Sequence, residues 1–166
     1  MEMTTLGRTG CVVSRLGFGG APAGLTNYLQ DYDPADTAQR RTVQAALETA
    51  LALGITYFDT APGYGDGASE SIFGEVLADA GADIFVASKV NHATTDVRTD
   101  VRRSVETSLH RLSRERLDLL QIHGTSYTPA QAAAILAPAG LLAQMEQLRA
   151  EGLVRFLGFT SEDNNP

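Results

Sequence analysis

Apolar residues recur along this chain at two spacings, and the two alternate. Short runs dense in β-branched and aromatic residues predict strands; longer runs with apolar residues three or four apart predict one-faced helices. TTLGRTGCVVS holds two extended runs about a glycine turn, which predicts a hairpin over about 3–14. RLGFGGAPAG gives a strand near 16–20 that dissolves into glycine and proline. DTAQRRTVQAALETALALG carries Val43, Leu47, Ala50 and Leu51 at helical spacing and stops at Gly54. ITYFDTA predicts a strand near 56–60. SESIFGEVLADAG predicts a helix with Ile72, Val76 and Ala80 on one stripe and Gly81 as its stop. DIFVASKV predicts a strand near 84–90. The clearest helix is DVRTDVRRSVETSLHRLS, with Val101, Val105, Leu109 and Leu112 inward and Arg102, Arg103 and Glu106 outward. RLDLLQIHG predicts a strand over 117–123, AGLLAQMEQLRAEG a helix with Leu142, Met145 and Leu148 inward, and VRFLGFTS a strand near 155–161. Asn165 suits a helix N-cap and Pro166 the first helical position, so a further helix is expected to begin there.

Near-continuous apolar strands alternating with amphipathic helices imply a parallel sheet wrapped by helices. An open doubly wound sheet and a closed (β/α)8 barrel both satisfy that order. A dinucleotide fingerprint needs its third glycine leading directly into a helix, whereas GFGGAP has Pro22 at that place and no helical pattern follows at once. The barrel is therefore expected: residues 1–166 form one partial (β/α) domain with about five of eight strand–helix units. Such a piece leaves its first and last strands as open edges. The chain is then a fragment, or a partner supplies the rest, with self-association through the edges as one route.

Composition narrows the function classes. With 166 residues, 43% of them hydrophobic and 20% charged, the chain suits one globular domain. A formal net charge of −7 argues against nucleic acid or an anionic membrane as the main partner. No apolar run approaches a membrane span, and MEMTTLGRTG lacks the pattern of a signal peptide. A single cysteine, Cys11, leaves no internal disulfide framework and is read as a small core residue, so a cytoplasmic protein is expected.

The chemistry lies at the strand ends. The second barrel strand finishes on Asp59, the third on Lys89 and the fourth on His123, and Tyr64 lies in the loop after Asp59. In barrels the carboxyl end of the strands holds the active site. Singly, each residue has an ordinary explanation: a turn cap, a snorkelling lysine, a satisfied core histidine, a loop aromatic. Their joint placement does not. A phenol ionises near ~10 and is a poor acid at neutral pH, but a neighbouring ammonium favours its anion. Lys89 supplies that charge, Asp59 its counter-charge, and His123 a hydrogen bond to orient a substrate oxygen. That constellation suits carbonyl reduction, where the proton goes to oxygen and a cofactor delivers hydride to carbon.

At these residues the sequence resembles the aldo-keto reductase family. The matching stretches are LGRTGCVVS, RLGFGG, YFDTAPGYGDGASESIFGEVL, ASKV, LLQIHG and RFLGFTS, in order through nearly the whole chain. The resemblance implies a (β/α)8 barrel that reduces aldehydes or ketones with NADPH or NADH and no metal. It also implies a tetrad of Asp59, Tyr64, Lys89 and His123 with Tyr64 as proton donor. Gly19, Gly20, Asp59, Thr160 and Ser161 are implied as cofactor contacts. Thr160-Ser161 stands where the family commonly has Ser-Asn, and the chain has about half the family's usual length. The strands expected to bind the pyrophosphate and adenosine, and the loop that shapes the substrate pocket, are not in this sequence. The isolated chain is therefore expected to be inactive or oligomeric, and a non-catalytic half-barrel or binding subunit that acts only when paired is the alternative reading.

Other motifs yield less. His92, His110 and His123 lack metal-ligand spacing; His110 is read as a solvated helix residue and His92 as a solvated loop residue, with a substrate-loop role as the alternative. DYDP, from Asp31 to Pro34, is too sparse for a calcium loop and belongs to the turn before a helix. The Arg102-Arg103 pair belongs to a solvated face. No G-x-S-x-G elbow supports serine hydrolysis.

Overall fold

The computed structural model describes residues 1–81, 83–92 and 97–162, with 97–99 described by their backbone alone. Strands β1 (Met3–Thr5) and β2 (Val12–Ser14) form the antiparallel hairpin. Five parallel strands follow in the order β3-β4-β5-β6-β7. They are β3 (Gly17–Gly19), β4 (Tyr57–Asp59), β5 (Phe85–Asn91), β6 (Leu117–His123) and β7 (Val154–Phe159). Among the described residues, β3 and β7 each pair on one side only.

Register decides which residues share a face. Asp59 pairs with Ala87, Lys89 with Gln121, Asn91 with His123 and Gln121 with Gly158. Paired residues in a parallel ladder point the same way and alternate along each strand. One face of the sheet therefore carries Tyr57, Asp59, Phe85, Lys89, Gln121, His123 and Phe156. The other carries Phe58, Val86, Ser88, Val90, Leu120 and Ile122, against the helices.

That helix-side layer is the core. Phe58, Ile72, Phe73, Val86, Val101, Val105, Leu120, Met145 and Leu148 are buried there. Phe73 meets Phe58 and Phe18 edge-on, with ring centroids 6.2 and 5.9 Å apart. Each such fully buried side chain contributes on the order of 1.5–3 kcal/mol relative to exposure. The helices supply one face each: α2 (Thr37–Ala52), α3 (Ala68–Leu77), α4 (Val97–Leu112) and α6 (Leu141–Ala150). Asp36 caps α2 by accepting from the Ala38 and Gln39 amides, which is where the DYDP turn leads.

Two helices lie where none was expected. A single turn, α1 (Ala21–Gly24), follows the glycines directly, with Pro22 in its first turn where a missing N–H is harmless. α5 (Pro129–Leu136) precedes α6 and is closed by a capping box. The Gln131 amide donates to Thr128 Oγ1 at 3.3 Å, and Gln131 Oε1 accepts from the Thr128 amide at 2.8 Å. α3 stops at Leu77, short of Gly81. Cys11 is half-buried at the foot of the hairpin, outside the core. Arg102 does not stand alone on its face but pairs with Glu106 and with Glu151 beyond α6, while His110 is exposed. The expected helix at Asn165-Pro166 lies outside the described residues. Among the described residues no helix is long and apolar enough to cross a membrane.

Candidate active site

Lys89 is the centre of the site and is 3% exposed. A lysine that deep stays charged only with partners. Its ammonium donates to Asp59 Oδ1 and, at 2.8 Å, to the Thr60 carbonyl. The other Asp59 oxygen accepts from Gln121 Nε2 at 2.8 Å. The lysine Nζ also lies 5.0 Å from the centroid of the Tyr64 ring. His123 packs edge-on against the same ring, 5.7 Å between centroids and at 86°. Asp59, Tyr64, Lys89 and His123 thus converge at one end of the sheet. Burial first, then the Lys89 charge, hold the His123 imidazole below its usual pKa, against the opposing pull of Asp59 and Glu162. It is neutral at neutral pH.

The loop that carries Tyr64 is held by main chain rather than side chains. A Cβ on Gly24 would lie 2.2 Å from the Tyr64 carbonyl oxygen, and one on Gly65 2.0 Å from the Gly24 oxygen. Gly65 also has φ +66°, a region that L side chains rarely adopt. Beneath, the buried Tyr32 hydroxyl donates to the Ala23 carbonyl at 2.8 Å and fixes α1.

Helix α3 ties the strand ends from the other side through adjacent buried residues. Ser69 Oγ accepts from the Thr60 hydroxyl and donates to the Gly20 carbonyl, both at 2.8 Å. Glu70 accepts from the Ser88 hydroxyl at 2.7 Å and pairs with Arg111 at 3.4 Å. Three successive strands are thereby pinned by two neighbouring side chains.

The expected cofactor contacts separate into two kinds. Gly20 is buried, its N–H given to the Asp59 carbonyl at 2.7 Å and its own carbonyl to Ser69. Thr160 uses its hydroxyl to bridge the main chain of Gly124, accepting from the amide at 3.1 Å and donating to the carbonyl at 2.9 Å. Gly19 and Ser161 are exposed, and Ser161 Oγ donates to the Thr125 carbonyl at 3.1 Å. Gln121, Thr60 and the α3 pair were missed from sequence. Gln121 had a signal, since it lies two residues before His123 on the same strand and so on the same face. His92 is not a solvated loop residue: both its ring nitrogens are engaged, one by His123 and one by Gln131. Among the described residues no group of three or more His, Cys, Asp or Glu side chains is arranged to hold a metal ion.

The family model for the aldo/keto reductase family matches residues 15–165. The chain belongs to that family. This aldo-keto reductase is 33% identical to the L-galactose dehydrogenase of Arabidopsis thaliana, over 96% of this chain and 48% of that protein. It is also 33% identical to a methylglyoxal reductase of Escherichia coli, over 80% of this chain and 43% of that one. Among solved structures it resembles a thermostable aldo-keto reductase in complex with the inhibitor epalrestat. There the TM-score is 0.76 and the identity 31%, covering 96% of this chain and 53% of that one. An aldo-keto reductase from Klebsiella pneumoniae in complex with NADPH gives a TM-score of 0.73 at 29% identity, over 99% of this chain and 51% of that one. The chain thus spans about half the length of these relatives, and its sheet is the corresponding part of a (β/α)8-type barrel.

Proposed function

We propose that this aldo-keto reductase takes part in NAD(P)H-dependent reduction of an aldehyde or ketone carbonyl to an alcohol. One observation carries the reading: a buried lysine has a carboxylate on one side, a phenol ring on the other, and a histidine ring against that same phenol. Tyr64 gives its proton to the carbonyl oxygen. The negative charge left on the phenolate is met by the Lys89 ammonium, and Asp59 keeps that ammonium paired while the phenol is neutral. Neutral His123 offers a ring N–H to the substrate oxygen and sets its approach to Tyr64. The second contact of Lys89, to the Thr60 carbonyl, fixes the position of Nζ between Asp59 and the Tyr64 ring.

The groups at this end of the sheet suit the nicotinamide of the cofactor. Exposed Ser161 and open Gly19 lie on the surface of the site, while Gly20, Thr160 and Asp59 act from behind by fixing the main chain and the lysine. When bound, NADPH or NADH supplies the hydride. Small aldehydes are the substrate class to test first, since one relative is named for methylglyoxal.

The test is Tyr64→Phe in a form whose barrel is complete, whether as a longer chain or by pairing. It removes the proton and leaves the ring, so kcat for NADPH oxidation with small aldehydes falls by about 10²–10⁴. The NADPH dissociation constant, followed by fluorescence, stays within about twofold of its starting value, because the ring remains to fill the site. A variant that turns over at the unaltered rate removes Tyr64 from its role.

A further inference from the structure

His92 stands one residue beyond β5, at the end of the sheet that holds the tetrad. Its Nδ1 lies 3.0 Å from the His123 carbonyl oxygen, and its Nε2 lies 3.2 Å from Gln131 Nε2. The two contacts together fix its chemical form. A carbonyl only accepts, so Nδ1 carries a hydrogen. Gln131 Oε1 is already taken by the amide and the hydroxyl of Thr128, at 2.8 and 3.0 Å. The Gln131 NH2 is therefore what faces His92, and Nε2 must be the bare acceptor. Both demands are met by one species only, the neutral Nδ1–H tautomer.

What this ring holds is the main chain around His123. The Ile122 carbonyl accepts from the Thr160 amide at 2.9 Å, while the Tyr127 hydroxyl shares its one proton between the Thr160 carbonyl at 3.0 Å and the Ile122 carbonyl at 3.2 Å. The His123 carbonyl, the next along, accepts from His92. The two peptide planes that flank the His123 Cα are thus each held from outside β6. Tyr127 packs against the His92 ring at 5.5 Å, so the brace is one unit joining the ends of β5 and β6 to the first turn of α5.

We infer that His92 is a positioning residue: with Gln131 behind it, it sets the direction of the His123 imidazole against Tyr64. The inference rests on the reading of His123 as the group that orients the substrate oxygen. Nothing in the family motif had marked His92 for this.

The chain has three histidines, so ¹⁵N-histidine labelling gives a small, assignable set of ring signals. At neutral pH His92 is expected to show a protonated Nδ1 and an unprotonated Nε2. His92→Asn keeps an N–H where Nδ1 was and retains the His123 ring shifts. His92→Phe keeps the packing against Tyr127 but has no donor, and moves those shifts. Gln131→Leu leaves Nδ1 protonated, because the His123 carbonyl still requires it, and removes only the donor at Nε2, so the Nε2 signal alone moves. An Nε2–H tautomer in the unaltered protein, or His123 signals in His92→Phe that match it, overturns the inference. If His92→Phe does not fold, the tautomer and the Gln131→Leu spectrum still decide. In aldehyde reduction His92→Phe is expected to lower kcat by about 10–100-fold at constant cofactor affinity, with His92→Asn restoring it. A protein with no turnover even when its barrel is completed by pairing removes the reductase reading, while the spectra still report on the brace.

Discussion

The same strands carry two different materials on one face. Near their starts, Tyr57, Phe85 and Phe156 form an aromatic stack, with centroids 5.4 and 6.3 Å apart and planes within 15° and 17° of parallel. Two residues after Tyr57 and four after Phe85, the face turns into Asp59 and Lys89, with Gln121 beside them. The stack gains from area alone and tolerates small shifts. The polar end gains little net energy, since every charge there costs desolvation that its partner must offset. What it obtains is a fixed geometry. Stability and chemistry are divided along each strand, only about 7–14 Å apart.

The sharpest way to break that division is Phe85→Ala. It removes the middle ring of the stack at a site 3% exposed and should cost about 3–5 kcal/mol in chemical denaturation. Lys89→Met sits on the same strand and same face. It should end carbonyl reduction yet cost only about 1–2 kcal/mol, because Asp59 keeps Gln121 and partial access to water. A larger stability loss for Lys89→Met than for Phe85→Ala would overturn the comparison. A third effect is alkaline. Burial, then the Asp59 charge, push the Tyr57 phenol up to about 12 from 10.0. The unfolded chain releases that proton first, so the contribution is present below the unfolded value and lost as pH rises from about 10 to about 12. Burial pushes Tyr32 and Tyr127 up as well, so the readout is the difference between the unaltered protein and Tyr57→Phe. Tyr57→Phe should lose less stability across that window. Identical profiles would show that burial and Asp59 do not raise the Tyr57 phenol.

Much of this was legible before any coordinates. Val101, Val105, Leu109 and Leu112 lie at helical spacing, and all four are buried as that spacing requires. The four site residues were readable because Asp59 and His123 close their strands, Tyr64 follows one, and Lys89 lies near the end of its own, which runs two residues further to Asn91 than the pattern placed it. α5 was missed because its apolar side is almost all alanine, with Ile135 its one buried large residue, so it has nearly no periodicity. Its capping box, Thr128 to Gln131, was nevertheless visible in the letters. α1 was hidden by the ordinary meaning of glycine and proline. Glu70 could not be read as buried, since its partner Arg111 lies 41 residues later and only folding brings them together. His92 failed for the same reason: its partners come from two other elements.

The contact between Gly24 and Gly65 sets a different kind of rule. Where side chains fill the space, a lost group can be answered by a neighbour that grows or turns. Here peptide meets peptide, and no neighbour has anything to retract. A library of substitutions would find at each of these positions an alphabet of one letter, indifferent to charge, size or hydropathy. The address of the reactive phenol is written in atoms that are not there.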